Sequence, residues 1–397
     1  NAVHSLVNGD ANENLIFGAI PIKPAAPNLD PNLAAFLGRW EGYDYGPPIA
    51  KDHKGVFVVQ DISSQGGTAY LWAATNLQYP YWVKQIHFRV VSGAVPTIEW
   101  LGDVTGHPSG TTGVFTYTFA IDHSQDAIKG GIGLSSDSVL SGTIKFTHDQ
   151  TFYVYQDYAK YLESKRIYAK PYQDQSLTQY GQGYLVYLPE GYENQPDKTW
   201  PLIFFLHGVG DRGNNILLIA KASPFMMIRA NHPLPSIIVA PLLNTSKTYA
   251  SFPQPYMAGV LAEVLKDYRV DQKRIYLTGM SMGGEAAYRF AIHQPNTFAA
   301  VAILTGFDAR FNPGAIEQGF VPSTEPLEAL KDLPIWALHG ENDQNIPVSL
   351  AQNTVDGLKQ AGVNVRFTIL PNHDHDIWTD TYSDPEFYDW LFQHRRP

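Results

Sequence analysis

The hydrophobic pattern changes its period once along this chain, and the change divides it into two folding problems. From Phe36 to about Tyr158, apolar residues recur at every second position in short runs. Ile86, Phe88 and Val90 alternate with Gln85, His87 and Arg89, while Phe115, Tyr117, Phe119 and Ile121 alternate with Thr116, Thr118 and Ala120. Further runs lie at 55–62, 68–74, 97–101, 142–147 and 151–155, with Gly- and Ser-containing turns at 63–67, 106–113 and 130–138. Successive side chains of a strand face opposite sides, so this spacing predicts an antiparallel barrel or a sandwich. A helical stretch at 157–166 and a connection over 170–182 follow.

Beyond them the apolar runs become continuous, at 184–188, 202–206, 275–278, 299–304, 335–338 and 365–370. Helical spacing fills the gaps, at 257–268 (Val260, Leu261, Val264, Leu265 and Tyr268 on one face), 283–293, 348–361 and 385–393. Strands apolar on both sides, alternating with helices, predict a parallel sheet covered on both faces. Residues 1–35 mix Asn, Pro and Ala without a period and read as an arm. The expected organisation is an arm at 1–35, an antiparallel β domain at 36–165 and an α/β domain at 166–397.

A chain of 397 residues suits two domains. The net charge of −10, with Lys and Arg scattered rather than striped, argues against a nucleic-acid partner or an anionic membrane surface. No apolar run approaches the roughly 18 residues of a membrane-spanning helix, so no membrane insertion is expected. Cysteine is absent, which removes disulfides, thiolate catalysis and Cys-ligated metals. The chain begins at Asn1 rather than Met, compatible with a secreted protein whose signal peptide is gone and equally with a trimmed cytosolic one. Oligomeric state is open.

Residues 275–284 read as strand, sharp turn and helix around Gly279-Met280-Ser281-Met282-Gly283. The spacing has a mechanical reason. A strained Ser backbone projects Oγ above the sheet, and a side chain two residues to either side would strike neighbouring backbone. The Met282 N–H then faces the site at a helix N-terminus, where partial positive charge favours a developing oxyanion. This turn resembles the nucleophile turn of α/β-hydrolases, in which the acid and then the base follow the Ser along the chain.

A Ser nucleophile needs a base, and the base an orienting carboxylate. The loop His339-Gly340-Glu341-Asn342-Asp343 ends a strand and presents Asp343, with Glu341 and Asp308 as rivals placed less favourably. The loop after 365–370 offers His373 and His375, which alternate along an extended segment, so local geometry leaves both open. His-Asp-His-Asp lacks helical metal-ligand spacing, and no metal is expected. Leu206-His207-Gly208-Val209-Gly210 follows an apolar strand where a second oxyanion N–H should arise, assigned to Val209 with Gly210 beside it. His207 and His339 read as braces of their loops.

Several stretches together resemble the esterase group that includes feruloyl esterases, polyhydroxybutyrate depolymerases and predicted peptidases. They are Tyr187-Leu188-Pro189-Glu190-Gly191-Tyr192, Pro201 through Gly208, Val270-Asp271, Arg274 through Gly284, His375-Asp376-Ile377-Trp378, and the stretches 382–385 and 388–391. The His-Asp-x-Trp ending selects His375 as base. Asp374 departs from the group, where Gly is usual. Gly38-Arg39-Trp40 resembles the opening of lipocalin-like barrels, while the esterase resemblance does not extend over residues 1–160.

The resemblance implies a doubly wound, mostly parallel α/β-hydrolase sheet and a serine carboxylic ester hydrolase needing no cofactor. Ser281, Asp343 and His375 would be catalytic, and Met282 and Val209 would form the oxyanion hole. From the residues themselves, Trp378 beside the base and the 249–256 loop with Phe252 would line an aromatic-friendly pocket or simply pack, with Gly210 close to a substrate oxygen. The region 304–335, where many lipases carry a lid, is short, which favours small-molecule or polymer-linked short acyl or aryl esters. A serine peptidase on the same residues, and a ligand- or polymer-binding β module with an accessory hydrolase, are the alternatives.

Overall fold

A computed structural model describes residues 22–42, 55–73, 82–93, 96–103, 114–122, 127–134, 150–155, 158–213, 216–244 and 251–397. The chain divides into two compact units, Asn1–Tyr161 and Leu162–Pro397.

The first unit is an eight-stranded barrel in chain order: β1 (Gly38–Gly42), β2 (Gly55–Ile62), β3 (Gly66–Ala73), β4 (Trp82–Val91), β5 (Thr97–Asp103), β6 (Val114–Asp122), β7 (Ala127–Leu134) and β8 (Gln150–Tyr155). Every neighbouring pair is antiparallel, and Glu41 opposite Tyr155 joins β1 to β8. That closure removes the edges a sandwich would keep, and decides between the two architectures. Alternation places Ile86 and Phe88 inside and Gln85, His87 and Arg89 outside. Phe57 and Phe119 stack across the interior at 4.7 Å, in a core shared with Trp40, Val59, Ile98 and Trp100.

One expectation changes here. The segment 130–138 is not a turn throughout, because Gly130, Gly131 and Gly133 lie within β7, with Gly130 opposite Phe119. The end of the arm carries local structure. Asp30 caps a one-turn helix α1 (Pro31–Ala34), and Leu33 and Phe36 enter the barrel core. Trp40 Nε1 donates to Phe36 O at 2.8 Å, tying β1 to that segment. The run expected at 142–147 and the turn at 106–113 lie outside the described residues.

In the second unit eight strands form one sheet. They are β9 (Ile167–Pro171), β10 (Gly183–Tyr187), β11 (Trp200–Leu206), β12 (Ile237–Pro241), β13 (Val270–Met280), β14 (Ala300–Leu304), β15 (Ile335–Gly340) and β16 (Val365–Leu370). Their spatial order is β16-β15-β14-β13-β11-β12-β10-β9, parallel from β16 through β12 and antiparallel at β10 and β9. The helices are α2 (Tyr158–Ser164), in which the unit boundary falls, α3 (Phe225–Arg229), α4 (Gln254–Asp267), α5 (Met282–His293), α6 (Pro313–Glu317), α7 (Val348–Gln360), α8 (Trp378–Ser383) and α9 (Pro385–Phe392). All residues of β11, β12, β14 and β15 are buried, as a doubly covered parallel sheet requires.

Strands β9 and β12 and helix α8 go beyond the expected elements. The stretch 157–166 is helical only to Ser164, and Arg166 leaves it with φ 63°. Among the described residues no helix is long and apolar enough to cross a membrane.

Candidate active site

β13 lies between β11 and β14, and its last residue, Met280, delivers the chain to the carboxyl edge of the sheet. Ser281 follows with φ 53° and ψ −118°, and α5 begins at Met282. An L residue holds a positive φ only where its surroundings enforce it. Here the enforcement is contact: a Cβ on Gly279 would lie 2.2 Å from Gly283 O, and one on Gly283 would lie 2.0 Å from Leu206 O. The Ser281 N–H is shared between Leu304 O (2.9 Å) and Thr305 Oγ1 (3.2 Å). Thr305 is itself at φ 47°, and sequence pattern gave no sign of its place in the turn.

His375, in the loop after β16, stands with Nε2 3.0 Å from Ser281 Oγ and Nδ1 2.7 Å from Asp343 Oδ2. The carboxylate can only accept, so Nδ1 carries the proton and Nε2 is left to accept from the Ser hydroxyl. The Trp378 ring, first in α8, meets the imidazole at 89° with centroids 5.2 Å apart. Trp378 is buried, and its Nε1 has no hydrogen-bond partner among the described residues.

His373 goes elsewhere. Its Nδ1 lies 2.9 Å from Pro371 O and its Nε2 3.1 Å from Asp380 Oδ2, and both donate once the ring is protonated. The Pro371 carbonyl and then the Asp380 carboxylate hold its pKa above the usual imidazole value.

Asp343 is buried, which by itself would favour the neutral acid. Hydrogen bonds from His339, His375 and the Ile346 N–H outweigh that burial and hold the carboxyl well below its usual range. Its Oδ1 accepts from Asn345 N (2.9 Å) and Ile346 N (2.8 Å). The rivals are engaged otherwise. Glu341 accepts from Asn372 N at 3.2 Å. Asp308 accepts from Arg310 N at 2.7 Å and Ser323 Oγ at 2.5 Å, pinning the segment after β14.

The acid and base loops are laced together. Asn342 N donates to His373 O at 2.8 Å, and Asp374 Oδ1 accepts from Gln344 N (3.1 Å) and His375 N (2.8 Å). The carboxylate that departs from the resembled group is therefore turned onto backbone N–H groups. Asp376 turns to Thr379, whose Oγ1 donates at 3.0 Å, so the side chains of the His-Asp-His-Asp run diverge.

On the opposite side, β11 ends in Leu206 and the chain makes a short helical turn over Val209–Asp211. Val209 and Gly210 are exposed there, and Met282 is the first residue of α5, where helix N–H groups lack intrahelical acceptors. His207 Nδ1 donates to Gly208 O (2.7 Å) and Nε2 accepts from Leu243 N (3.0 Å), and burial pushes its pKa down to about 4. It is a neutral brace of this loop. His339 reaches Ile346 O at 2.8 Å, across the acid turn.

Phe252 does not line the site. It is fully buried, with its ring 4.9 Å from His207. Tyr249 and Ala250 lie outside the described residues. A buried pair the sequence reading passed over, Glu285 and Arg289 one turn apart on α5, accounts for the placement: Arg289 donates to Glu285 at 2.5 Å and to Phe252 O at 3.0 Å. The i,i+4 spacing was its signal.

Comparison with known proteins gives the same direction. The Dienelactone hydrolase family matches residues 254–386. A protein named probable feruloyl esterase C from Aspergillus terreus is 27% identical over 170 residues, 42% of this chain and 57% of its own length. Feruloyl esterase C of Emericella nidulans is 28% identical over 174 residues, with the same two coverages. The chain thus spans little more than half the length of these relatives. Carboxylesterase SOBER1 of Arabidopsis thaliana is 23% identical over 44% of this chain and 83% of its own. Among solved structures, a thermostable esterase superposes with a TM-score of 0.51 at 20% identity, covering 87% of this chain and 97% of that one, a likeness of fold. The C-terminal unit thus has the α/β-hydrolase fold and is similar in sequence to esterases of that group.

Proposed function

We propose that this chain is a serine carboxylic ester hydrolase acting through an acyl-enzyme, with residues 166–397 as its catalytic domain. The observation that carries the reading is the unbroken hydrogen-bond line from Ser281 Oγ through His375 to the buried Asp343. In this mechanism His375 takes the Ser281 proton as Oγ attacks the ester carbonyl. Asp343 stabilises the imidazolium. The Met282 and Val209 N–H groups receive the oxyanion, and Gly210 lets the backbone approach the substrate. His375 then protonates the leaving alcohol and later activates water for deacylation. No step needs a cofactor.

For substrate we propose short acyl or aryl esters, feruloyl-like, free or linked to a polymer. Two features support this. The segment after β14 is knit down by polar contacts, with Arg310 donating to Ser323 O (2.6 Å) and Glu325 O (2.7 Å), rather than offering a broad apolar lid. Trp378 sets an aromatic ring against the base. The barrel core, filled by Trp40, Phe57 and Phe119, supports assigning the chemistry to the other unit. Action outside the cytoplasm belongs to the same reading and is checked by locating the protein in producing cells.

The test is an ester panel varying acyl length and alcohol bulk, run on wild type and Ser281→Ala. Turnover of short and aryl esters is expected, with kcat lowered at least ~10^4-fold in the variant. A variant within tenfold of wild type would overturn the assignment.

A further inference from the structure

The acid of this site receives a second imidazole. His339, the penultimate residue of β15, is fully buried, and its Nε2 lies 3.3 Å from Asp343 Oδ2, the same oxygen that accepts from His375. The same Nε2 lies 2.8 Å from Ile346 O. Both neighbours are acceptors, so Nε2 must carry the hydrogen; it donates to Ile346 O with Asp343 Oδ2 close beside it. Nδ1 has no hydrogen-bond partner among the described residues. A bare acceptor is the lesser loss of the two tautomers, since the other would bury a bare N–H and set three acceptors against one another.

We propose that His339 is a positioning residue for the catalytic acid, resting on the esterase reading above. Asp343 is removed from water and must stay ionised while His375 becomes an imidazolium beside it. Among the described residues, the N–H groups around it are Asn345 N and Ile346 N on Oδ1, and His375 Nδ1 and His339 Nε2 at Oδ2. Of these, His339 alone comes from the strand rather than from the acid turn or the base. Through Ile346 O it also closes the turn that supplies the two backbone donors, so one N–H sets both the direction of Oδ2 and the shape of the loop. His339 touches neither substrate nor Ser281; its effect reaches the reaction through Asp343.

Three variants test this with p-nitrophenyl acetate turnover, fluorophosphonate labelling of Ser281 and thermal melts. His339→Gln places an amide N–H near the Nε2 position, His339→Asn places it near Nδ1, and His339→Leu removes it. We expect His339→Leu and His339→Asn to lose about 10- to 100-fold in kcat and in labelling rate, with KM within threefold. His339→Gln should recover to within about fivefold of wild type. If the Leu variant does not fold, the contrast between the two amides decides. Equal Gln and Asn variants, or a folded Leu variant with wild-type kcat, would overturn the role of His339 while the active wild type upholds the esterase. A wild type that neither labels at Ser281 nor turns over esters overturns both.

Discussion

At the nucleophile turn the geometry is fixed by contact, whereas across the site, at the acid and base loops, it is fixed by hydrogen bonds. Gly279 and Gly283 leave no room for a Cβ, and Ser281 is held at φ 53° between β13 and α5 because backbone on both sides forbids an alternative. Asp343 and His375 lie on loops that could move, and donors hold them: Asn342 N on His373 O, Gln344 N and His375 N on Asp374, His339 on the acid turn. Contact gives abrupt losses when breached, because close-packed backbone cannot yield by degrees. A laced loop loses its order in increments, one bond at a time.

The sharpest way to break this contrast is Gly283→Ala. Its Cβ would meet Leu206 O and His207 O, both backbone atoms, at 2.0 and 2.7 Å. A destabilisation of about 3 kcal/mol or more is expected, lowering the melting temperature of this unit by roughly 6–12 °C. Activity should fall more than ~100-fold. A variant that melts and turns over like wild type would show that contact is not what holds the turn.

A second prediction uses pH. His207 is neutral in the fold, its pKa pushed by burial to about 4 from an imidazole's usual 6.5. The unfolded chain therefore binds more protons between those values. The stability this His preserves is complete above about pH 6.5 and is lost as pH falls through 4, a swing of about 3 kcal/mol. Urea unfolding across pH 7 to 4 should show a steeper loss for wild type than for His207→Gln, although the variant is weaker at pH 7. Parallel curves would remove His207 as the neutral brace of the oxyanion loop.

The smallest expected effect is at Asp374, on the laced side. Asp374→Gly removes two backbone contacts and should lower kcat by about three- to tenfold with a melting temperature within 2 °C of wild type. Asp374→Asn keeps an acceptor and should stay within about twofold. A Gly variant at full activity would mean that the bond from Asn342 to His373 O suffices to hold the loops.

The same contrast explains what could be read in the sequence. Contact leaves a spacing behind, and Gly279, Ser281 and Gly283 announce their turn because any bulkier residue there collides. Hydrogen bonding between distant loops leaves almost none. His373 and His375 alternate along one loop and were indistinguishable by local geometry; what separates them is Pro371 O and Asp380 against Asp343 and Ser281. His339 could be read as a brace, but its reach to Asp343 depends on how residues 340–346 fold back. Phe252 suggested a pocket wall because sequence does not record that Arg289 draws its carbonyl inward.

In the fold, long apolar runs such as β11 and β15 were plain. β12 is a short apolar segment at 237–241 ended by Pro241, and β9 is an edge strand with one buried residue, Ile167, so neither carries a strong period. β7 hid behind three glycines, which weaken a strand's pattern without preventing its pairing with β6.

The central claim, that Ser281 forms a covalent acyl-enzyme, is tested most directly by acid-quenching the protein during turnover of p-nitrophenyl acetate and mapping the adduct by peptide mass spectrometry. The account predicts one acetyl group on Ser281, absent from Ser281→Ala. Turnover with no adduct in the quenched protein, or with the acetyl group on another residue, would contradict it.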